Sequence, residues 1–247
     1  MKTYLALDVG GSSIKYALIQ EDSTILEKSS VPTPMDTMDH FVETIGTIYD
    51  QYKDRIEGMA ISMPGIINPE IGYAFTGGAL RYIDKMNIVD ILKERCPINI
   101  TIGNDAKCAA NAEIGYGNLQ DIQDGAVVIL GTGIGGCLIK DHKVHTGRHF
   151  SAGEFSFVKT NCLDGISWDY AWSTRNGIKG LLERVQESLG TNQEYTGIEI
   201  FDMANEGNEK VIEGISQFCK EVATQIFNVH IIFDCEKVAI GGGISAQ

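Results

Sequence analysis

The chain opens on an apolar run that carries an acid at Asp8, turns through Gly10 and Gly11, and returns in a second apolar run to Ile19. That pattern predicts a β-hairpin. Thr24 to Ser30 predicts a third strand of the same sheet, stopped by Val31 to Pro34. From Met38 to Tyr52 the apolar positions Met38, Phe41, Val42, Ile45, Ile48, Tyr49 and Tyr52 recur at helical spacing. Gly58 to Ser62 predicts a short buried strand ended by Met63-Pro64-Gly65, so the first part of the chain reads as a βββαβ unit. Pro64 to Leu80 reads as a glycine-punctuated loop. Ile88 to Arg95 predicts a short helix closed before Pro97, and Ile98 to Ile102 predicts a strand that delivers Gly103, Asn104 and Asp105 into a helix over 106–114.

After a break at Gly115 to Asn118 the theme repeats. Gly125 to Leu130 predicts a strand, Gly131 to Gly136 a glycine-rich turn, and Cys137 to Lys140 the returning strand. His145 to Phe157 reads as a loop that presents Glu154. Trp168 to Leu189, Ile198 to Asn205 and Val211 to Phe233 read as helical, and Lys237 to Ile240 as a last strand running into Gly241 to Ser245. A glycine loop directly after a buried strand leaves that element uncapped, so the expectation is two lobes, 1–115 and 116–247, the second lacking its C-terminal end.

At 247 residues and 43% hydrophobic, the chain has enough apolar content for one large core or two smaller ones. Asp and Glu number 33 against 20 Lys and Arg, a net charge of -13. So acidic a surface argues against nucleic acid and anionic membranes as partners. A phosphorylated ligand is still allowed, because a local turn of backbone N–H groups can outweigh a distant field. The six cysteines are scattered with no C-x-x-C pair, which argues against a disulfide framework or a zinc knuckle. No signal segment and no run of membrane-spanning length is present, so a cytoplasmic protein is expected.

Candidate chemistry sits in the turns. Glycines at 10 and 11 let backbone N–H groups approach an anion, Ser12 adds a donor, and the Asp8 carboxylate suits a hydrated Mg²⁺. The same residues would also serve a plain tight hairpin bearing a surface acid. Two further glycine turns, at Gly131 to Gly136 and Gly241 to Gly243, each follow a strand, and an Asn-Asp pair ends a strand between them.

Over essentially its whole length the chain resembles the ROK sugar kinases, a family that includes bacterial glucokinase, N-acetylmannosamine kinase, fructokinase and β-glucoside kinase. DVGGSSIK is similar to their first phosphate loop and ISMPGIINPEIG to their sugar-side loop. IGNDAKCAANAE is similar to the catalytic-aspartate motif, LGTGIGGCLI to the second phosphate loop, AGE at Ala152 to Glu154 to the sugar-binding motif, and VAIGGGIS to the adenosine loop. The resemblance implies an α/β, two-lobed actin/hexokinase-like (ribonuclease H-like) ATPase fold built from duplicated βββαβα units. It also implies ATP-dependent transfer of the γ-phosphate to a primary hydroxyl, the 6-OH, of a hexose or hexose derivative. β-Glucosides, glucose and N-acetylmannosamine are the candidate substrates. Asp105 would be the general base, although an Asp there would also cap the following helix. Asn104, Glu154, Asp169 and Gly65 would hold the sugar. Gly10, Gly11, Ser12, Gly131, Thr132, Gly133, Gly242 and Gly243 would hold ATP, and Asp8 would place Mg²⁺ through water. A homodimer is implied as well.

The chain departs from the family where many members bind structural zinc. Phe157 replaces the ligand histidine, and Cys162 alone stands in place of a cysteine cluster, so no zinc is expected. Phe157, with Trp168 and Trp172, would make the sugar's C1–C2 end more apolar. The chief alternative is a non-catalytic ROK-type sugar sensor or regulator. A repressor of this family would carry a helix-turn-helix ahead of the first strand, which here begins by Thr3.

Overall fold

Strands β1 (Thr3–Val9) and β2 (Ser13–Gln20) pair antiparallel and bury Leu5, Leu7, Val9, Ile14, Tyr16 and Leu18 on one face, the period-two consequence of a pleated backbone. The computed structural model describes residues 1–161 and 167–247, and divides into two compact units, Met1–Cys108 and Ala109–Gln247.

In the first unit β3 (Ile25–Pro32) extends the hairpin, and β4 (Gly58–Met63) and β8 (Ile100–Asn104) add on the other side, both parallel to β1. The strand order is β3-β2-β1-β4-β8. Helix α1 (Met38–Tyr52) is capped by Thr37, whose side chain accepts from the N–H of His40. It adds Phe41, Ile45, Ile48, Tyr49 and Tyr52 to the core under the sheet. Each large aliphatic side chain fully buried there stabilises by about 1.5–3 kcal/mol. Helix α2 (Ile88–Arg95) starts at an Asn87 cap, and α3 (Asp105–Tyr116) begins in this unit and contains the division between the two.

The segment expected to be only a loop, Pro64 to Leu80, holds β5 (Ile67–Asn68) and β6 (Tyr73–Thr76), which form a small antiparallel sheet with β7 (Asp84–Asn87) beyond it. These strands are too short to show a period in the sequence, and their partners are one another. The third strand also runs on through Val31 and Pro32 rather than stopping before them.

The second unit repeats the first four strand positions. Strands β9 (Gly125–Leu130) and β10 (Ile134–Lys140) form the hairpin, β11 (Lys143–His145) lies antiparallel to β10, and β12 (Lys237–Gly241) parallel to β9, in the order β11-β10-β9-β12. The expected duplication therefore holds at the level of strand direction and pairing. The glycine turn is shorter than expected, because Gly135 and Gly136 belong to β10, and β11 was missed at three residues.

Among the described residues four α-helices separate β11 from β12: α4 (Trp172–Asn176), α5 (Ile178–Leu189), α6 (Gly197–Asn205) and α7 (Glu209–Phe233). Trp172, Leu181, Val185, Ile200, Val211, Phe218 and Val222 pack with Ala126, Val128, Leu130 and Ile134 of the sheet. A polar knot ties three of these helices together. Arg184 of α5 is 5% exposed and meets Glu221 of α7 through Nε–Oε1 at 2.9 Å and Nη2–Oε2 at 3.0 Å, and Asn176 of α4 donates to Glu221 Oε2 at 3.2 Å. Among the described residues no helix is long and apolar enough to cross a membrane.

Candidate active site

In the first unit the chemistry gathers at the C-terminal ends of three parallel strands, where ligands meet open α/β sheets. Asp8 near the end of β1 lies beside Ser62 of β4, and Ser62 beside Gly103 of β8. The Ser62 hydroxyl donates to Asp8 Oδ1 at 3.1 Å. One residue past β8's end, Asp105 opens α3, with Oδ1 accepting from the N–H of Ala106 at 2.8 Å.

Asp105 reaches solvent, but desolvation by the surrounding protein still raises its carboxyl above the ordinary value of 3.8. The nearby Asp8 charge pushes the same way, and the Ala106 N–H opposes. An acid whose charge is disfavoured by burial and by a neighbouring carboxylate makes a place for a proton or a cation. Asp8 presents an oxygen donor with few direct protein ligands around it, which fits a hard cation that keeps most of its water, as Mg²⁺ does.

The cap role goes to Asn104 rather than to Asp105. Asn104 is 4% exposed, and its Oδ1 accepts from the Lys107 N–H at 3.1 Å while its Nδ2 donates to the Gly65 carbonyl at 2.9 Å. One side chain thus fixes the start of α3 and ties it to the turn after β4. Gly65 itself has φ +113°, and a Cβ there would lie 1.9 Å from the Thr76 carbonyl oxygen, so the position admits only glycine.

The turn between β1 and β2 is held from behind. Thr33 Oγ1 donates to the Gly10 carbonyl at 2.6 Å, and the Thr33 N–H donates to the Ser12 carbonyl at 3.2 Å. The Gly10 N–H closes the turn onto Ser13 O at 3.0 Å. Among the described residues the N–H groups of Gly11 and Ser12 meet no acceptor. Neither Gly10 nor Gly11 has positive φ, so conformation does not demand these glycines.

In the second unit the corresponding turn is Gly131 to Gly133. The Gly131 N–H donates to Gly133 O at 3.0 Å, as the Gly10 N–H does to Ser13 O, and among the described residues the N–H groups of Thr132 and Gly133 meet no acceptor. Thr132 is exposed. The loop after β12 comes against the same end of β9. The Ile244 N–H donates to Leu130 O at 3.2 Å, and a Cβ on Gly242 (φ +100°) would stand 2.2 Å from that oxygen. Gly243 has open space where a Cβ would go.

These two neighbours therefore separate fold from ligand. Gly242→Ala is expected to lower stability by about 2–3 kcal/mol through strain and collision. On the adenosine role expected for this loop, Gly243→Ala should leave thermal melting unchanged and raise the KM for ATP roughly tenfold, about 1.4 kcal/mol. Melting curves and initial rates at varied ATP check both.

Glu154 follows Gly153, whose φ of +76° lets the backbone press against Cys137 and Leu138 of β10. Phe155 then packs where a Cβ on Gly136 would be, its ring atoms 2.0 Å from that position, and its ring lies 5.6 Å from Trp172. Asp169 is exposed in the 3₁₀ turn Trp168–Tyr170, where its Oδ2 accepts from the Ser167 hydroxyl at 3.0 Å. Trp172, expected to make the sugar end more apolar, is fully buried in the core, and its Nε1 has no acceptor among the described residues. Phe157 and Trp168 do face solvent, edge to face at 5.4 Å, with Lys159 Nζ 5.6 Å over the Trp168 ring. Cys162 lies outside the described residues. Among the described residues no three His, Cys, Asp or Glu side chains cluster as a metal cage.

Sequence reasoning missed Ser62, Thr33 and Cys108. The Cys108 thiol, beside Ser62, is raised above its ordinary value by burial and by the charges of Asp105 and Asp8.

A model of the ROK family matches residues 4–247. A β-glucoside kinase of Listeria monocytogenes is 30% identical over 246 residues, covering 98% of this chain and 83% of that protein. An N-acetyl-D-glucosamine kinase of Haemophilus influenzae is 28% identical over 257 residues, covering 98% and 84%. Among solved structures, a protein of Listeria monocytogenes aligns with a TM-score of 0.89 at 28% identity, over 99% of this chain and 84% of that one.

Proposed function

Because the chain belongs to the ROK family and is an ATP-dependent carbohydrate kinase, we propose that Asp105 is its general base and that the acceptor is the 6-hydroxyl of a hexose or hexose derivative. The observation that carries the reading is the pair of carboxylates, Asp105 and Asp8, at the ends of β8 and β1, with the Asp105 pKa raised. Asp105 accepts the hydroxyl proton as the sugar oxygen bonds to the γ-phosphorus and the bond from phosphorus to the ADP oxygen breaks. Asn104, Gly65, Glu154 and Asp169 orient the sugar for in-line attack. Gly10, Gly11, Ser12, Gly131, Thr132 and Gly133 form the two phosphate turns, which offer the N–H groups of Gly11, Ser12, Thr132 and Gly133, and the loop of Gly242 and Gly243 admits the adenosine. Mg²⁺, held through water by Asp8, supplies charge neutralisation on the phosphates when bound.

A β-glucoside is the favoured substrate. The exposed Phe157 and Trp168 offer an apolar, π-faced surface of the kind an aglycone packs on, in a segment flanked by Glu154 and Asp169. The β-glucoside kinases among the relatives support the same choice. Coupled ADP-release rates on an aryl β-glucoside, cellobiose, glucose, N-acetylmannosamine and N-acetylglucosamine test it. The expected order puts β-glucosides first, with Phe157→Ala lowering their kcat/KM several-fold and sparing glucose. Glucose far ahead of every β-glucoside would end this choice, and no turnover on any sugar would favour the non-catalytic sensor.

We assign the protein no structural zinc, a homodimeric state and a cytoplasmic location. The free thiols of Cys96, Cys108, Cys137, Cys219 and Cys235 suit a reducing compartment. Light scattering of the purified protein checks the dimer.

A further inference from the structure

We propose that Ser62, backed by Cys108, is a positioning residue that fixes the Asp8 carboxylate relative to Asp105. The inference rests on the reading of Asp8 given above and concerns residues on three neighbouring elements.

The hydrogen bond has one possible direction. A carboxylate can only accept, so the Ser62 hydroxyl gives its single proton to Asp8 Oδ1, at 3.1 Å. The Cys108 thiol lies beside the same hydroxyl. The three residues span α3, β4 and β1.

Each of the three is held in place by its surroundings. Ile61 and Met63 are buried on the core face of β4, so strand alternation turns Ser62 to the opposite side, level with Asp8 on one flank and Gly103 on the other. A Cβ on Gly103 would stand 2.8 Å from Cys108 Sγ, so the missing side chain is what admits the thiol. Cys108 follows Asp105 by one turn of α3, which places the two on one helical face. The Asn104 cap fixes where that helix begins. Ser62 therefore links the carboxylate on β1 to the helix that carries the base, and leaves Asp8 Oδ2 for the ligand side.

The test compares Ser62→Ala, Ser62→Thr and Asp8→Asn. Calorimetric binding of a non-hydrolysable ATP analogue, with and without Mg²⁺, is measured beside rates and melting curves. Ser62→Ala is expected to weaken binding of the Mg²⁺-loaded analogue, and to lower kcat/KM for ATP, by about tenfold to a hundredfold, as for loss of one hydrogen bond to a charged group. Binding of the metal-free analogue, the KM for sugar and the melting temperature should hold. Ser62→Thr keeps the hydroxyl and should recover most of the loss.

If Asp8→Asn is inactive while Ser62→Ala binds the Mg²⁺-loaded analogue as the parent does, the positioning role is wrong and the reading of Asp8 survives. If Asp8→Asn works normally, the reading of Asp8 itself falls. An equal loss in metal-free binding, sugar KM and melting, or no recovery in Ser62→Thr, makes Ser62 a packing residue and overturns the proposal.

Discussion

Asp105→Asn is expected to lower kcat for sugar phosphorylation by about a hundredfold to ten-thousandfold, the usual contribution of a positioned base, with no loss of melting temperature. The substitution is isosteric, and its amide oxygen can still accept the Ala106 N–H that Asp105 Oδ1 accepts at 2.8 Å. Asn104, not Asp105, bonds the Lys107 N–H and caps α3, so the helix keeps its start.

The sign of the pKa shift sharpens the expectation. With the folded value raised above 3.8, the folded chain binds more proton than the unfolded chain between the two values. Stability therefore falls as pH rises through that window, and at neutral pH the ionised Asp105 weighs against the fold. The Asn variant should melt at the parent's temperature or slightly above it. The parent's kcat/KM should fall as pH drops through the raised pKa, because protonated Asp105 cannot accept the hydroxyl proton, and that limb should be absent in the Asn variant. Retention of more than about a tenth of the parent's kcat would remove Asp105 from the base role.

Glu221→Ala should cost about 3 kcal/mol, since it leaves the buried Arg184 guanidinium without its bidentate partner. For a chain of this size that corresponds to a melting temperature lower by about 6–12 °C. Burial alone would raise the Glu221 carboxyl, but the Arg184, Gln217 and Asn176 hydrogen bonds outweigh it and hold the pKa below the ordinary 4.5. The stability this gives is full above 4.5 and is lost as pH falls through the depressed value. Glu221→Gln should therefore flatten the acid side of the stability curve. A control separates lost attraction from stranded charge. The double variant Arg184→Met with Glu221→Leu removes both charges and should recover most of the loss. If it melts as low as Glu221→Ala, the cost comes from packing instead. Denaturant titrations at several pH values measure all three.

Sequence reading succeeded where local signals agreed with tertiary structure. The bounds of α1 and α2 match expectation, since apolar spacing coincides with caps at Thr37 and Asn87. It failed where partners distant in sequence decide. The strands β5 to β7 exist because they pair with each other, and Gly135 and Gly136 read as turn because glycine usually marks one. Gly136 sits in a strand because the Phe155 ring needs the room. At the candidate site, Asp8 and Asp105 were visible as motif members. Ser62 and Cys108 required the register that sets β1, β4 and β8 side by side, and nothing in the spacing of residues 8, 62 and 108 encodes it. Trp172 belongs to the core although its neighbour Trp168 faces solvent, since the chain passes from an exposed 3₁₀ turn into a buried helix between them.

The clasp that Thr33 places on the Gly10 and Ser12 carbonyls of the first turn bears on the energetics of nucleotide capture. A loop pinned at both ends by its own protein has less freedom to surrender when phosphate arrives, so part of the entropic penalty of association is met during folding. Thr33→Val should accordingly weaken ATP through an unfavourable change in binding entropy rather than enthalpy, a distinction that calorimetry resolves directly.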